Sequence, residues 1–134
     1  MLAKEFKKIV NSVLREYAPK IMQEANSLVN SGDSVVDGII RSSSSYTIED
    51  GVIHIWYDTE LAAYEEFSTG RFSAQYLANK PQEMKDEAWK FYINGKGQTQ
   101  GTPFFFPTAF KMIEEINKEI DKRLQSYFDS YVIK

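Results

Sequence analysis

At 134 residues the chain has the length of one domain, and a domain of that length buries roughly two thirds of its unfolded surface without disulfides or metals. Its 43% hydrophobic and 26% charged residues are ordinary for a globular fold; the lack of cysteine excludes disulfides and thiolate metal sites, and the single histidine, His54, excludes a histidine-based zinc cluster. A formal charge of −3 argues against the broad basic face that wraps DNA through its phosphates and leaves room only for a local basic patch.

Between Leu2 and Val29 the residues Leu2, Phe6, Ile9, Val10, Val13, Tyr17, Ile21, Ala25 and Leu28 recur at spacings of three and four, which predicts a long amphipathic helix over residues 1–30. Pro19 removes one backbone donor inside it, so a kink near Glu16 or a break is expected. Asn30-Ser31-Gly32-Asp33 stops the helix.

Residues 39–58 read as a β-hairpin closed by Asp50-Gly51, a dipeptide suited to the positive φ angles of a type I′ turn. Flanking that turn with Glu49 and Val52 sets Ile48 opposite Ile53, Tyr46 opposite Ile55 and Ser44 opposite Tyr57, all on one largely apolar face. Ser45, Thr47, Glu49, His54 and Trp56 share the other. The serine run Ser42 to Ser45 then belongs to a strand and not to a linker.

Residues 59–70 read as a short helix capped by Thr59, with Glu60 in its first turn and Gly70 placed for a left-handed exit. Residues 71–100 form a variable region. Within it 71–80 reads as loop, Pro81 opens a short helix reaching about Trp89, and Phe91-Tyr92-Ile93 before Asn94-Gly95 suggests a small strand. A last helix over 107–131 opens at Pro107, with Phe110, Ile113, Ile116, Ile120, Leu124, Tyr127 and Tyr131 as its apolar stripe. Glu114 to Lys118 and Glu119 to Arg123 are favourable four-residue pairs on its polar face. The expected fold is α+β, one domain over 1–134, with an antiparallel sheet built on the long hairpin and packed against long N-terminal and C-terminal helices.

No constellation of catalytic residues emerges. Glu65 and Glu66 are sequence neighbours on a helix, point about 100° apart and cannot face one bond together. His54 lies on the polar hairpin face without a nucleophile beside it. Asn94-Gly95-Lys96-Gly97 lacks the spacing and the following Ser/Thr of a phosphate-binding loop. No enzyme activity, cofactor or bound metal is expected. Nor does any segment approach the ~20 apolar residues that span a bilayer, and the N-terminus has no signal-peptide run, so synthesis in the cytoplasm without a membrane partner is expected.

Two segments carry more information: Leu61-Ala62-Ala63-Tyr64-Glu65-Glu66-Phe67-Ser68-Thr69-Gly70 and Gly101-Thr102-Pro103-Phe104-Phe105-Phe106-Pro107-Thr108-Ala109-Phe110. Together they resemble the tail-component family of long-tailed bacteriophages, also described as neck, tail-completion or head-tail joining proteins. Its members carry tyrosine-alanine-x-x-valine-glutamate-phenylalanine-glycine-threonine and later proline-phenylalanine-leucine-x-proline-alanine. Ala62, Glu66, Phe67, Thr69, Pro103, Phe104, Phe105, Pro107 and Ala109 match that pattern, and Leu61, Glu65 and Ser68 depart from it. Ser68 stands at the family's usual glycine, so a positive φ there is strained or is moved to Gly70. The order of elements matches as well, over nearly the whole chain.

The resemblance implies a structural virion protein of a phage or prophage that completes the tail or joins it to the head. It implies a self-associating ring that contacts neighbouring neck and tail proteins and binds no specific nucleic acid sequence; the cost of ordering mobile loops on assembly leaves a monomer in dilute solution open. Assembly candidates are the matched residues together with Gly70 and Phe106. On an extended segment Phe104, Phe105 and Phe106 alternate, so at least one of them is expected to face a partner or the 71–100 region. The alternatives are a tail terminator or head-closure protein, and, from other classes, a small bacterial hydrolase using Glu66 or a peptide-binding module using an exposed hairpin edge.

Overall fold

The computed structural model describes residues 2–68, 70–89 and 100–132. In chain order the elements are α1 (Leu2–Ser27), α2 (Ser34–Ser42), β1 (Ser44–Glu49), β2 (Val52–Tyr57), α3 (Glu60–Phe67), α4 (Gly70–Leu77), α5 (Gln82–Trp89) and α6 (Phe105–Val132). The fold is α+β: a two-stranded antiparallel hairpin and two long terminal helices, with short helices between them.

Helix α1 is continuous through Pro19 instead of breaking there. Arg15 and Pro19 both lie on the exposed side, so water can take the carbonyl of Arg15 that proline leaves without a donor. Its buried residues Val13, Leu14, Ala18, Ile21 and Ala25 follow helical spacing, while Phe6 and Leu28 stay about half exposed.

The hairpin is shorter than the 39–58 span the sequence suggests, because residues 34–42 form helix α2. Asp33, read as part of a stop signal, is an N-cap whose carboxylate accepts from Val35 N–H at 2.9 Å and Val36 N–H at 3.3 Å. Ile40 is then completely buried and Asp37 accepts both the backbone N–H and the hydroxyl of Ser31. Hydrogen bonds from Ser31 hold the Asp37 carboxyl below the usual range.

The strand register is the one the turn dictates: Glu49 pairs with Val52, Ile48 with Ile53, Tyr46 with Ile55 and Ser44 with Tyr57. Asp50 and Gly51 adopt φ of 48° and 80°, as a type I′ turn requires. Ile48, Ile53 and Ile55 pack on α1, and His54 and Thr47 face solvent. At the hairpin tip Gly51 N–H donates to Asn11 Oδ1 at 2.8 Å; at its base Tyr57 OH donates to Asn26 Oδ1 at 2.7 Å, and Asn26 Nδ2 donates to Ser44 Oγ. The interval from Asn11 to Asn26 spans about 22 Å of helix, and a six-residue strand spans about 20 Å. The hairpin therefore lies along α1, pinned at both ends by asparagines.

Helix α6 runs antiparallel to α1. Lys111 bonds Glu24 at 2.8 Å, and Arg123, already held by Glu119 at 3.0 Å, reaches Glu16 and Ser12 on α1. Met112 and Ile116 are buried between the two helices, whereas Phe110 and Ile113 of the expected stripe remain 48% and 50% exposed. That stripe is wider than the face α1 can cover.

The region 71–80, expected as loop, is mostly helix α4, and Pro81 precedes α5 as the sequence suggests. Nothing in the local pattern of Gly70 to Leu77 is strongly helical. Packing decides it: Leu77 is buried with Ala63, Phe67, Met84 and Ala88, and Tyr76 lies against them. The strand expected at Phe91 to Ile93 and the Asn94-Gly95 turn lie outside the described residues.

Candidate functional site

The two motif segments meet. Helix α3 is capped by Thr59, whose hydroxyl accepts from Leu61 N–H, and ends with Glu65, Glu66 and Phe67, all buried. The oxygen Oε1 of Glu66 accepts the N–H of Phe104 at 2.8 Å and of Phe105 at 2.7 Å. Its Oε2 accepts the N–H of Phe106 at 3.3 Å and the hydroxyl of Tyr76 at 3.0 Å.

This arrangement completes the N-terminus of α6. A helix leaves its first four N–H groups without internal partners. Here three of them, at Phe104, Phe105 and Phe106, bond to Glu66, and the fourth position is Pro107, which has no N–H. A carboxylate also complements the positive end of the helix dipole. Thr108 Oγ1 donates to the carbonyl of Phe104 at 2.9 Å and tightens the same turn.

Glu65 forms the adjacent link, with Oε1 accepting Thr102 N–H at 2.7 Å. Burial raises its carboxyl above the ordinary range, and the bond from Thr102 opposes that shift. One residue back, Gly101 N–H donates to Ser68 Oγ at 2.9 Å. A Cβ on Gly101 would sit 2.1 Å from the backbone oxygen of Glu65, so the close approach of the two segments requires glycine.

The positive φ considered for this junction is at Ser68, with φ 63° and ψ −169°, and not at Gly70, which begins α4. That conformation is close to glycine-only territory. The turn is held by the Ser68 N–H bond to the carbonyl of Tyr64 at 2.9 Å and by the bond from Gly101.

The three phenylalanines do not alternate, because Phe105 already belongs to α6. They fan out as a helix start does. Phe104, 1% exposed, enters the cluster of Ala25, Val29, Ile40 and Ala62 and meets Tyr57 edge-on at 5.3 Å. Phe105 bridges that cluster and the α1–α6 core. Phe106 joins Phe67 at 5.8 Å, with Phe110 beyond it at 5.9 Å. Each ring thus ties α6 to a different part of the molecule.

Tyr57 and Tyr76 both look toward Glu66, and burial, then the charge of Glu66, pushes the Tyr57 hydroxyl up to about 12. Tyr76 is raised for the same reasons and by its bond to Glu66.

Of the residues singled out by sequence, Ala62, Glu66, Phe67, Phe104, Phe105 and Phe106 come together here. Pro103 is half-buried in the linking segment, Pro107 is exposed on the first turn of α6 and Ala109 is half-buried one turn on. Gly70 is displaced from its expected role, and Thr69 lies outside the described residues. Glu65, Ser68, Tyr76 and Gly101 complete the clasp without having been proposed as site residues. A signal for part of it exists: adjacent glutamates ending one helix, followed in the chain by a proline at the opening of another.

As chemistry, the site is an occupied one. Four donors converge on Glu66 and fill the acceptor positions of its carboxylate. Among the described residues no three His, Asp or Glu side chains gather in a way that could hold a metal ion. Comparison with protein-family models, with curated proteins and with solved structures yields no match to this chain.

Proposed function

We infer that the chain is a structural component of a long-tailed phage or prophage virion, placed at the neck or tail, where it completes the tail or joins it to the head as a ring. The observation that carries this reading is the union of the two motifs that bear the family resemblance: Glu66 of the first holds Phe104, Phe105 and Phe106 of the second. A shared pattern in two distant segments has a physical basis when the segments hold each other in place. The occupied state of Glu66 weighs against the hydrolase alternative.

Surface chemistry supports self-association. Val52, Trp56, Phe110 and Ile113 leave 40% or more of their area in water. A ring contact would remove such area from solvent, with a gain of roughly 25 cal/mol for each Å² of apolar surface.

The test is localisation. Particles released by the source bacterium, labelled with gold-conjugated antibody against this chain, are expected to carry label at the head-to-tail junction or along the tail. Particles without label, with the chain confined to the soluble fraction of the lysate, would refute the assignment.

A further inference from the structure

Asp50 and Gly51 are the two central residues of the hairpin turn, both at positive φ and with the Asp50 side chain in water. An aspartate followed by glycine has a reaction of its own, because no side chain on the glycine shields its amide nitrogen. That nitrogen can attack the carbon of the protonated side-chain carboxyl. The amide proton and the carboxyl hydroxyl leave together as water, and a five-membered succinimide closes. Water then adds to one of its two carbonyls. Breaking the bond from nitrogen to the side-chain carbon restores aspartate, whereas breaking the bond from nitrogen to the main-chain carbon leaves isoaspartate, with the chain running through the side chain. Water is the only co-reactant, and the net composition is unchanged.

The fold decides whether the nitrogen is free to attack. The hydrogen bonds of a two-residue turn belong to its flanking pair, here Glu49 and Val52, so the Gly51 N–H has no place in the ladder. It donates instead to Asn11 Oδ1 on α1, at 2.8 Å and across 40 positions of the chain. Val10 closes the same side, with its Cγ1 3.6 Å from where a Cβ on Gly51 would lie. Ring closure has to swing the Gly51 nitrogen onto its neighbour's carboxyl, and that movement breaks the bond to Asn11.

The same dipeptide occurs at Asp37-Gly38, where the setting is different. It lies inside α2, and the Asp37 carboxylate is buried and accepts both the N–H and the hydroxyl of Ser31. There the carboxyl itself is fixed. At Asp50 the carboxyl is exposed, and the restraint falls on the nitrogen.

We propose that Asp50-Gly51 is a covalent modification site, converting to isoaspartate when the hairpin tip leaves α1, and that Asn11 is the residue that holds it unreacted. The product lengthens the main chain by one methylene, which a two-residue turn pairing Glu49 with Val52 does not accommodate, so the tip does not return to its register. It also frees the α-carboxyl of residue 50 at an exposed point, the group that isoaspartyl carboxyl methyltransferases esterify.

The purified chain is aged in mildly acidic buffer beside a capped synthetic peptide of residues 47–55. Isoaspartate is counted by enzymatic methyl transfer and located by electron-transfer fragmentation of a digest, which separates residue 50 from Asp37-Gly38 and Asn94-Gly95. The peptide gives the unrestrained rate, and Asp50 of the folded chain is expected to react at least about tenfold more slowly. Asn11→Ala, which removes one hydrogen bond, should speed the reaction at Asp50 by about fivefold and leave Asp37 unchanged. Asn11→Asp keeps an acceptor oxygen and should stay near the wild-type rate. Tyr57→Phe removes a bond at the opposite end of the hairpin and should change the rate by less than about twofold, which separates the Asn11 contact from a general loss of stability. Three results would overturn the proposal: a folded chain that reacts as fast as the peptide, an Asn11→Ala variant that reacts no faster than wild type, or equal acceleration by Tyr57→Phe.

Discussion

Glu66 Oε1 accepts the backbone N–H of Phe104 at 2.8 Å across 38 positions of the chain, and the same oxygen accepts the N–H of Phe105. A remote carboxylate thus serves the helix start that a neighbouring Ser or Asp would ordinarily serve. Glu66→Ala leaves three backbone donors and the Tyr76 hydroxyl without their acceptor at a buried point. A loss of about 3 kcal/mol or more is expected in urea denaturation, since each buried donor left unsatisfied costs about 1–3 kcal/mol. Tyr76→Phe, which removes one bond to the same carboxylate, should cost only about 1 kcal/mol. Similar losses for the two variants would mean that Glu66 contributes little to the start of α6.

The order of two substitutions tests the strain at Ser68. Ser68→Gly relieves a conformation costing about 1–3 kcal/mol and gives up one hydrogen bond worth about 1 kcal/mol. Ser68→Ala gives up the bond and keeps the strain, so the glycine variant should melt at the higher temperature. The reverse order would show that the junction is not strained. Gly101→Ala, by contrast, forces a methyl against the Glu65 backbone and should destabilise by about 2 kcal/mol or more.

Alkaline stability should depend on Tyr57. Its folded-state hydroxyl titrates near 12 against an ordinary 10.0, so the native state retains the proton more tightly than the unfolded chain. The stabilisation is therefore fully present below pH 10 and is lost as pH rises toward 12. Tyr57→Phe should flatten the fall in stability over that window while costing about 1 kcal/mol at neutral pH through the lost bond to Asn26. An unchanged alkaline slope would remove Tyr57 from the account.

Folding and assembly should separate between two phenylalanines two turns apart in space. Phe104→Ala empties a buried site and is expected to cost about 3–5 kcal/mol. Phe110→Ala, nearly half exposed, should change stability by only about 0.5 kcal/mol. If the surface of α6 forms the ring contact, the Phe110 variant keeps its melting temperature and is lost from purified particles. Incorporation at the wild-type level would exclude Phe110 from that contact.

Local chemistry alone settles several features of this protein. A two-residue turn whose first and second positions tolerate positive φ, flanked by alternating side chains, admits one register, and the structure has it. Thr59 as a cap, Pro81 before α5 and the stripes of α1 and α6 follow from bonding and periodicity within a few residues of each position. The elements that differ are those in which distant groups compete with local preference. Asp33 can end one helix or begin the next, and burial of Ile40 selects the second. Gly70 to Leu77 has weak helical character until Leu77 finds Phe67 and Met84. The clasp is the clearest case. Adjacent glutamates ending one helix and a proline opening another are visible in the chain, yet only the tertiary structure brings the Glu66 carboxylate to three N–H groups some 40 residues away and turns Ser68, not Gly70, through a positive φ. Hydrogen bonds and clashes act over a few ångströms, so the residues that meet are decided by how α3 and α6 pack and not by their separation in sequence.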